Sequence, residues 1–522
     1  MSTLARKRNV TILILALAVA VINFITMPAW FYSGDSYAIK SEAIHLVRNG
    51  EFGFSGKEEL KLGDFLQHID QYYLLNKKTG EYHNRWGFFN LMLSSLPELA
   101  NIGQAEPLLD SGTLYADQRS ILAHNIFNII LSVILAVFLY KSAGLFTRSS
   151  LLRLFLVLAT LYASFTWNYM RAQSYEIVHL TLFTIFFYYY CIFLRTASGK
   201  RSFASYRSFY FYNLALAGLC LSKAFYFFLY PVLFIPICAK LLNRGRAGVV
   251  QGLLRNRQNL GLVILGGVIT MAVFLLLSYW FYGEIFFGYL QNKPHTGQVA
   301  LSWRYIPQRL HDYLISENRS LFVHMPLLIP GLAALPPYWR RHPYEAGFLL
   351  GAFLFAFTYF SFCYTVGEWC YGPRFFLFLL PVMCLPTACL FERFVRRKQY
   401  AVVSALAAAM LAVSVISVSA QMQVNSRNFH LRYLLAEYLR RNLELPPEID
   451  NYFRHANFAV IARDTNLLLA GKHTGFLVIE FGKYFPHDKK AELFRILRNY
   501  IAARFPGNYY LRFYHLDERS PG

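Results

Sequence analysis

Trp30-Phe31-Tyr32-Ser33-Gly34-Asp35-Ser36-Tyr37 marks the point where the first long apolar run stops and a polar segment reaching to about residue 119 begins. The run before it, 10–31, is long enough to cross a hydrocarbon layer of roughly 30 Å and follows the basic cluster Arg6-Lys7-Arg8. A cleavable signal peptide would carry a shorter apolar core of about 7–15 residues, so an uncleaved anchor is expected. An aspartate just outside such a helix sits at the water–lipid boundary, where it stays ionised and still reaches a head group. Asp35 is therefore the first candidate for a catalytic base.

The rest of the chain continues in the same manner. With 56% hydrophobic and only 15% charged residues, it is too apolar for a soluble protein. Apolar runs recur at about 120–140, 151–165, 175–194, 209–221, 224–239, 260–281, 321–338, 344–364, 374–391 and 400–420, giving about eleven crossings with the first. The fold class expected is an α-helical polytopic membrane protein, followed by a small carboxy-terminal α+β domain. Strands are expected at 458–462, 475–481 and 509–514, and an amphipathic helix at 489–505. The division is 1–420, with its external loop 32–119, and 421–522. Within that loop, 36–48 and 88–99 have the pattern of helices lying at the interface.

A net charge of +22 would suit a nucleic-acid binder, but its placement excludes that class. The cations fall in short gaps between apolar runs, as in Arg195, Lys200, Arg201 and Arg207, or Arg393, Arg396, Arg397 and Lys398. Such gaps mark the cytoplasmic side. Alternation from there collects the Asp35 loop, the 167–174 turn, Lys223, the 283–319 loop and the 366–373 turn on the opposite face. The seven cysteines have no metal-ligand spacing, and a disulfide between Cys363 and Cys370 is the one pairing considered.

Four short motifs lie on that opposite face, in this order: Ser33-Gly34-Asp35-Ser36-Tyr37; Gly80-Glu81-Tyr82-His83-Asn84-Arg85-Trp86-Gly87; Ala217-Gly218-Leu219-Cys220-Leu221-Ser222-Lys223; and Gly367-Glu368-Trp369-Cys370-Tyr371-Gly372-Pro373-Arg374-Phe375. Together they resemble the GT-C superfamily of polytopic glycosyltransferases, which take a sugar from a polyprenyl-phosphate carrier. The resemblance covers about residues 1–420. Arg85-Trp86 stands where a Tyr-Pro or Pro-Pro pair is common in that family.

The resemblance implies an inverting transfer at the anomeric carbon, from a polyprenyl-phosphate-linked sugar to a hydroxyl of a glycan, glycolipid or protein. It further implies a bacterial inner membrane, with active site and carboxy-terminal domain facing the periplasm. Asp35 would be the base, and Arg374, Lys223, Arg85 and Arg319 would hold the lipid phosphate. Tyr37, Asp70, Tyr82, His83, Glu368, Trp369 and Tyr371 would contact sugar or acceptor. Membrane lipids are the other partner, no cofactor is called for, and no tight carboxylate constellation indicates a divalent metal.

Each residue also has a plain structural use. Asp35 suits the N-cap of a helix starting near Ser36. Arg374 suits snorkelling to the interface, and Lys223 a simple turn. His83 reads as an exposed loop histidine, Glu368 as an ion-pair partner of Arg374, Arg319 as an interfacial anchor, and Asp70 as either an aid to Asp35 or a divalent-ion ligand. Two other function classes compete. A lipid-glycan flippase or transporter would carry ionisable groups midway along its helices. An oligosaccharide ligase or polymerase using a pyrophosphate-linked donor would depend on a large late loop, whereas here the first loop is the largest.

Overall fold

The computed structural model describes residues 3–28, 34–55, 73–102, 118–171, 174–196, 207–233, 246–284, 303–316, 319–362, 373–402, 459–463, 476–480 and 510–514, with isolated positions at 236 and within 404–412 and 492–499. Among the described residues, five helices are long and apolar enough to cross a membrane: Asn9–Thr26, Arg119–Ala143, Glu176–Arg195, Gly261–Tyr282 and Pro343–Phe362. Ser150–Tyr162, Ala224–Leu233 and Tyr400–Ala409 are shorter apolar helices at three further expected positions. This is a polytopic membrane protein.

The first helices in chain order are α1 (Thr3–Thr26), α2 (Gly34–Asn49), α3 (Phe88–Glu98), α4 (Gln118–Ala143), α5 (Ser150–Tyr162), α6 (Thr166–Arg171), α7 (Glu176–Thr196), α8 (Arg207–Ser222) and α9 (Arg246–Tyr282). Helix α1 packs on α4 through Leu15 and Val19, while Leu13, Ile14, Leu17 and Val21 are exposed, as suits a helix at a lipid boundary. Its polar Asn23 donates to the Val19 carbonyl and to the Tyr162 hydroxyl, because backbone and side-chain polar groups at this depth need partners inside the protein.

Helix α7 is the mast of the bundle. Phe183, Phe186, Phe187 and Tyr190 recur at helical spacing and meet Tyr212 of α8, Phe348 and Phe378, with Tyr190–Phe348 and Phe183–Phe378 centroids 5.0 Å apart. Both ends are pinned by ion pairs. Arg195 in its last turn reaches Glu345 at 2.9 Å and the Leu145 carbonyl at 3.0 Å. Glu176 in its first turn lies 3.6 Å from Arg374. The acid at the amino end and the base at the carboxyl end both agree with the helix dipole.

Two expected spans are broken. The 321–338 run divides into α11 (Leu321–His324) and α12 (Leu328–Trp339), following α10 (Ile306–Leu314) and preceding α13 (Pro343–Phe362). Pro326, which has no amide hydrogen to donate, lies in the gap. The 374–391 run becomes a 3-10 turn, Arg374–Phe376, then α14 (Leu380–Met383) and α15 (Thr387–Arg396), with Pro381 and Pro386 at the interruptions. Conversely, α9 is longer than the expected 260–281. Its 37 residues make about 55 Å of helix, so it extends past the bilayer on the basic side.

Helix α12 passes close to the α14 segment at Gly331. A Cβ there would stand 2.5 Å from the Met383 carbonyl oxygen and 3.2 Å from Cys384 Cα, both backbone atoms that cannot rotate away. Gly331→Ala is expected to lower stability by about 1–3 kcal/mol through overpacking. Thermal unfolding in detergent checks this, and an unchanged midpoint would show that the two segments separate freely.

Outside the bundle, β1 (Tyr73–Leu75) and β2 (Tyr82–Asn84) form an antiparallel hairpin with Tyr73 opposite Asn84. It sits on the end of α9. The Asn76 amide donates to the Trp280 and Phe281 carbonyls, and the Tyr282 hydroxyl to the Asn84 carbonyl at 2.7 Å. Helices α2 and α3 occur where interfacial helices are expected, and they pack on each other.

In the carboxy-terminal part, β3 (Ala459–Arg463), β4 (Phe476–Glu480) and β5 (Tyr510–Tyr514) form one sheet. The β3–β4 pair is antiparallel and the β4–β5 pair parallel. A parallel pair needs a crossover connection, and residues 492, 495, 496 and 499 in that connection are helical; the rest of the 489–505 stretch expected to be a helix lies outside the described residues.

Candidate functional site

Two of the four motifs line one cleft at the ends of α3, α7, α8 and α9, and a third lies beside it. The second motif is held from below by Glu42 of α2, which is fully buried. One oxygen of its carboxylate lies 3.0 Å from Nδ1 of His83, and the other accepts from the backbone and side-chain amides of Asn84, each at 2.7 Å. With β2 so fixed, Trp86 donates its amide hydrogen to the Asn84 side chain at 3.0 Å. Gly87 then turns the chain into α3 at φ +96°, a conformation that an L side chain rarely adopts.

Asn90, in the first turn of α3, joins the second motif to the third. Its Nδ2 donates to the Trp86 carbonyl at 2.7 Å and to the Ser222 carbonyl at 2.9 Å, one residue before Lys223. The fourth motif enters through Phe375. The Lys223 ammonium stands 5.3 Å and the Arg374 guanidinium 5.2 Å from the centroid of that ring, so both cations share one aromatic face region. Arg374 also has Glu176 at 3.6 Å. The Trp86 and Tyr175 rings face each other at 6.4 Å. A cleft opens here, lined by Trp86, Gly87, Tyr175, Lys223, Phe274 and Tyr282 among others. An aromatic and aliphatic wall with a cation at its rim is chemically suited to an alkyl phosphate.

The remaining expected residues are placed as follows. Asp35 and Tyr37 lie at the start of α2, where the backbone is described and the side chains are not. Because α2 begins at Gly34, Asp35 belongs to its first turn, not to the cap of a helix starting near Ser36. Asp70, Glu368, Trp369 and Tyr371 lie outside the described residues, as do Cys363 and Cys370. The acid found beside Arg374 is Glu176, a residue the sequence reading did not single out. Arg85 is buried next to Trp86 and does not line the cleft. Arg319 donates its amide to Ser316 just before α11, and it is likewise not part of the cleft wall. Tyr82 is half-buried in β2, where it bonds with Phe54 through the backbone. His83 is not an exposed loop histidine: it is buried between Glu42 and the Phe281 ring, whose centroid is 4.2 Å away.

Behind the cleft lies a buried charged cluster that the sequence reading also missed. Glu98, at the end of α3, accepts from Asn101 and Ser120 at 3.0 Å each, with Nε2 of His124 3.0 Å away and Arg48 at 3.7 Å. Burial pushes the Glu98 carboxyl up, but the hydrogen bonds from His124, Asn101 and Ser120 together with the His124 field outweigh it, and the group is held below its ordinary value. Lys40 of α2 is nearby. Burial drives its ammonium well below the ordinary lysine value, against the pull of Glu98. A second, smaller cavity opens between α2, α3, α4 and α7, with Tyr175 on its wall as on that of the first. Among the described residues, no group of three His, Cys, Asp or Glu side chains could hold a metal ion.

No family model and no curated protein sequence matches the chain. Among solved structures, it is similar to the oligosaccharyltransferase AglB from Archaeoglobus fulgidus, in complex with an inhibitory peptide and a dolichol-phosphate, at TM-score 0.52 and 12% identity, over 87% of this chain and 60% of that one. The Archaeoglobus fulgidus oligosaccharyltransferase in complex with Zn and sulfate gives 0.48 and 13%, over 85% and 56%. ArnT from Cupriavidus metallidurans bound to undecaprenyl phosphate gives 0.46 and 12%, over 86% and 68%. The chain thus spans 56% and 60% of the length of these two oligosaccharyltransferase chains. At such identity the AglB likeness speaks for the fold alone: the chain shares the polytopic membrane fold of that structure.

Proposed function

We propose that the chain is an inverting glycosyltransferase that moves a sugar from a polyprenyl-phosphate donor to an acceptor hydroxyl, at the periplasmic face of a bacterial inner membrane. The observation that carries this reading is that Trp86 and Lys223, from two separate motifs, line one aromatic cleft, with Arg374 of a third motif beside Lys223 across the Phe375 ring. The AglB fold, whose solved complex contains dolichol-phosphate, supports it. The polyprenyl chain lies along the apolar wall, and its phosphate rests between Lys223 and Arg374. Glu176 pairs with the guanidinium and holds it in place.

In the reaction, the acceptor oxygen forms a bond to the anomeric carbon as the bond from that carbon to the phosphate oxygen breaks. The acceptor proton passes to the Asp35 carboxylate. The electron pair leaves with the polyprenyl phosphate, whose added negative charge is stabilised by the two cations. Residues 421–522 form a separate periplasmic domain in this reading.

The test is turnover by purified protein in nanodiscs, given a panel of polyprenyl-phosphate sugars and envelope glycans as acceptor, and followed by release of polyprenyl phosphate. Lys223→Met and Arg374→Gln are each expected to lower release by about 10²-fold, the scale of losing one charge-stabilising donor. Adding Glu176→Gln to Arg374→Gln removes the carboxylate left behind and should recover thermal stability without recovering turnover. Full turnover in both single variants, or carrier movement across a vesicle bilayer with no release from any donor, would overturn the reading.

A further inference from the structure

Helix α10 divides its surface into three sectors. Arg309 and Tyr313, one turn apart, are buried and form its inner face. The Tyr313 ring stands 5.0 Å from that of Phe376 and 6.2 Å from that of Phe357, so the helix is fastened both to the turn that carries Arg374 and to α13. Arg309 pairs with Asp312. At about 100° per residue, Pro307, Leu310 and Leu314 fall together on a second sector beside that face, and Gln308 and His311 on a third. All five are exposed, Leu310 and Leu314 by 37% and 41%. A single exposed leucine is ordinary, but an apolar stripe next to the packed face of a nine-residue helix calls for an occupant.

The chain just before α10 fixes its depth. The Trp303 ring meets that of Phe362, the last residue of α13, edge to face at 4.5 Å, yet Trp303 remains 77% exposed. Helix α13 is long enough to span, and Phe362 is at its end away from the basic Arg340-Arg341 gap. Leu354 and Thr358, both exposed, precede Phe362 at four-residue spacing, so the lipid-facing flank of α13 runs up to Trp303. Trp303 thus stands where a spanning helix leaves the hydrocarbon. Tryptophan is enriched at that level because its ring is apolar and its N–H needs a polar partner. Seven residues, close to two helical turns, separate Trp303 from Leu310, which continues the same apolar flank.

We propose that α10 is seated on the bilayer, with Pro307, Leu310 and Leu314 in the boundary between head groups and acyl chains, Trp303 as anchor, and Gln308 and His311 towards water. The occupant of the apolar sector is phospholipid of the leaflet at the Phe362 end of α13, because the sector continues the flank by which that helix meets lipid. An amphipathic helix in this position buries its apolar face about 5–10 Å below the head-group surface. Through Tyr313 and Phe376, the seat lies against the turn that carries Arg374.

The experiment uses the full chain in phosphatidylcholine nanodiscs, with photoreactive benzoylphenylalanine replacing Gln308, Leu310, His311 or Leu314 one at a time, and adducts identified by mass spectrometry after irradiation. All four positions are exposed, so the probe should be accommodated without loss of the fold. Lipid adducts are expected to be several-fold more abundant from the Leu310 and Leu314 positions than from the other two. Peptide adducts in their place at Leu310 and Leu314, whether to a second copy or to another segment of the same chain, would overturn the proposal. Equal lipid labelling from all four positions would overturn it as well. The anchor is read separately from the difference in emission between the wild type and Trp303→Phe, a change that keeps an aromatic ring against Phe362. That difference should be quenched more by phosphatidylcholine brominated high on its acyl chains than by lipid brominated near their methyl ends. No quenching by either lipid would place Trp303 in water and overturn the seat.

Discussion

Asp35→Asn is expected to lower polyprenyl phosphate release by about 10²–10⁴-fold, the usual contribution of a general base, while leaving carrier binding unchanged. The substitution is informative because asparagine keeps the size and shape of aspartate and removes only its charge. Asp35 lies in the first turn of α2, where its negative charge meets the positive end of the helix dipole. Losing that charge costs no more than about 1 kcal/mol. A purely structural role therefore predicts a small loss of stability and near-normal turnover, whereas the base predicts the reverse. Carrier affinity, measured by displacement of a labelled polyprenyl phosphate, and release under single-turnover conditions separate the two. Turnover within a few-fold of the wild type would remove Asp35 from the chemistry.

The parts of the fold that sequence reading reached are those set by one-dimensional pattern. Apolar runs of membrane length gave α1, α4, α7 and α13 within a few residues, because the bilayer selects length and composition directly. The interfacial pair α2 and α3 was visible for the same reason, and strict alternation of sides placed Lys223 and Arg374 on one face before their shared contact with Phe375 was known. The breaks at Pro326, Pro381 and Pro386 were written in the sequence as well. They were passed over because hydropathy counts proline in an apolar run as one more small residue, and the missing amide hydrogen does not register.

Long-range pairing was not legible. Nothing near His83 announces that Glu42, 41 positions earlier, will bury it, because the contact depends on how the β1–β2 hairpin folds back over α2. Glu176 follows the 167–174 turn and was findable there as an acid at a helix start, but its partner Arg374 is 198 positions away. The cluster around Glu98 is the extreme case. Its members come from α2, α3 and α4, and singly each looks like an ordinary interfacial residue.

That cluster gives the largest expected effect on stability. Glu98 is fully buried and joins three helices: its own α3, α2 through Arg48, and α4 through Ser120 and His124. Arg48 reinforces the link by donating to the Ser120 hydroxyl at 2.8 Å. Glu98→Ala takes away the carboxylate on which these donors converge and leaves a buried guanidinium without it, at an expected cost of about 3–5 kcal/mol. Glu98→Gln should cost less, since an amide oxygen still accepts from Asn101 and Ser120.

The pH dependence distinguishes the charge from the shape. Because the folded protein holds the Glu98 carboxyl below its ordinary value, the ionised form stabilises the fold. That contribution is complete above the ordinary carboxylate value and is lost as the pH falls through the lowered one. Thermal unfolding of the wild type in detergent should therefore weaken on acidification through this window, and the Glu98→Gln protein, already weaker at neutral pH, should weaken less. Equal acid slopes in the two proteins would mean that the cluster holds by packing and neutral hydrogen bonds, with Arg48 and His124 balanced by other groups.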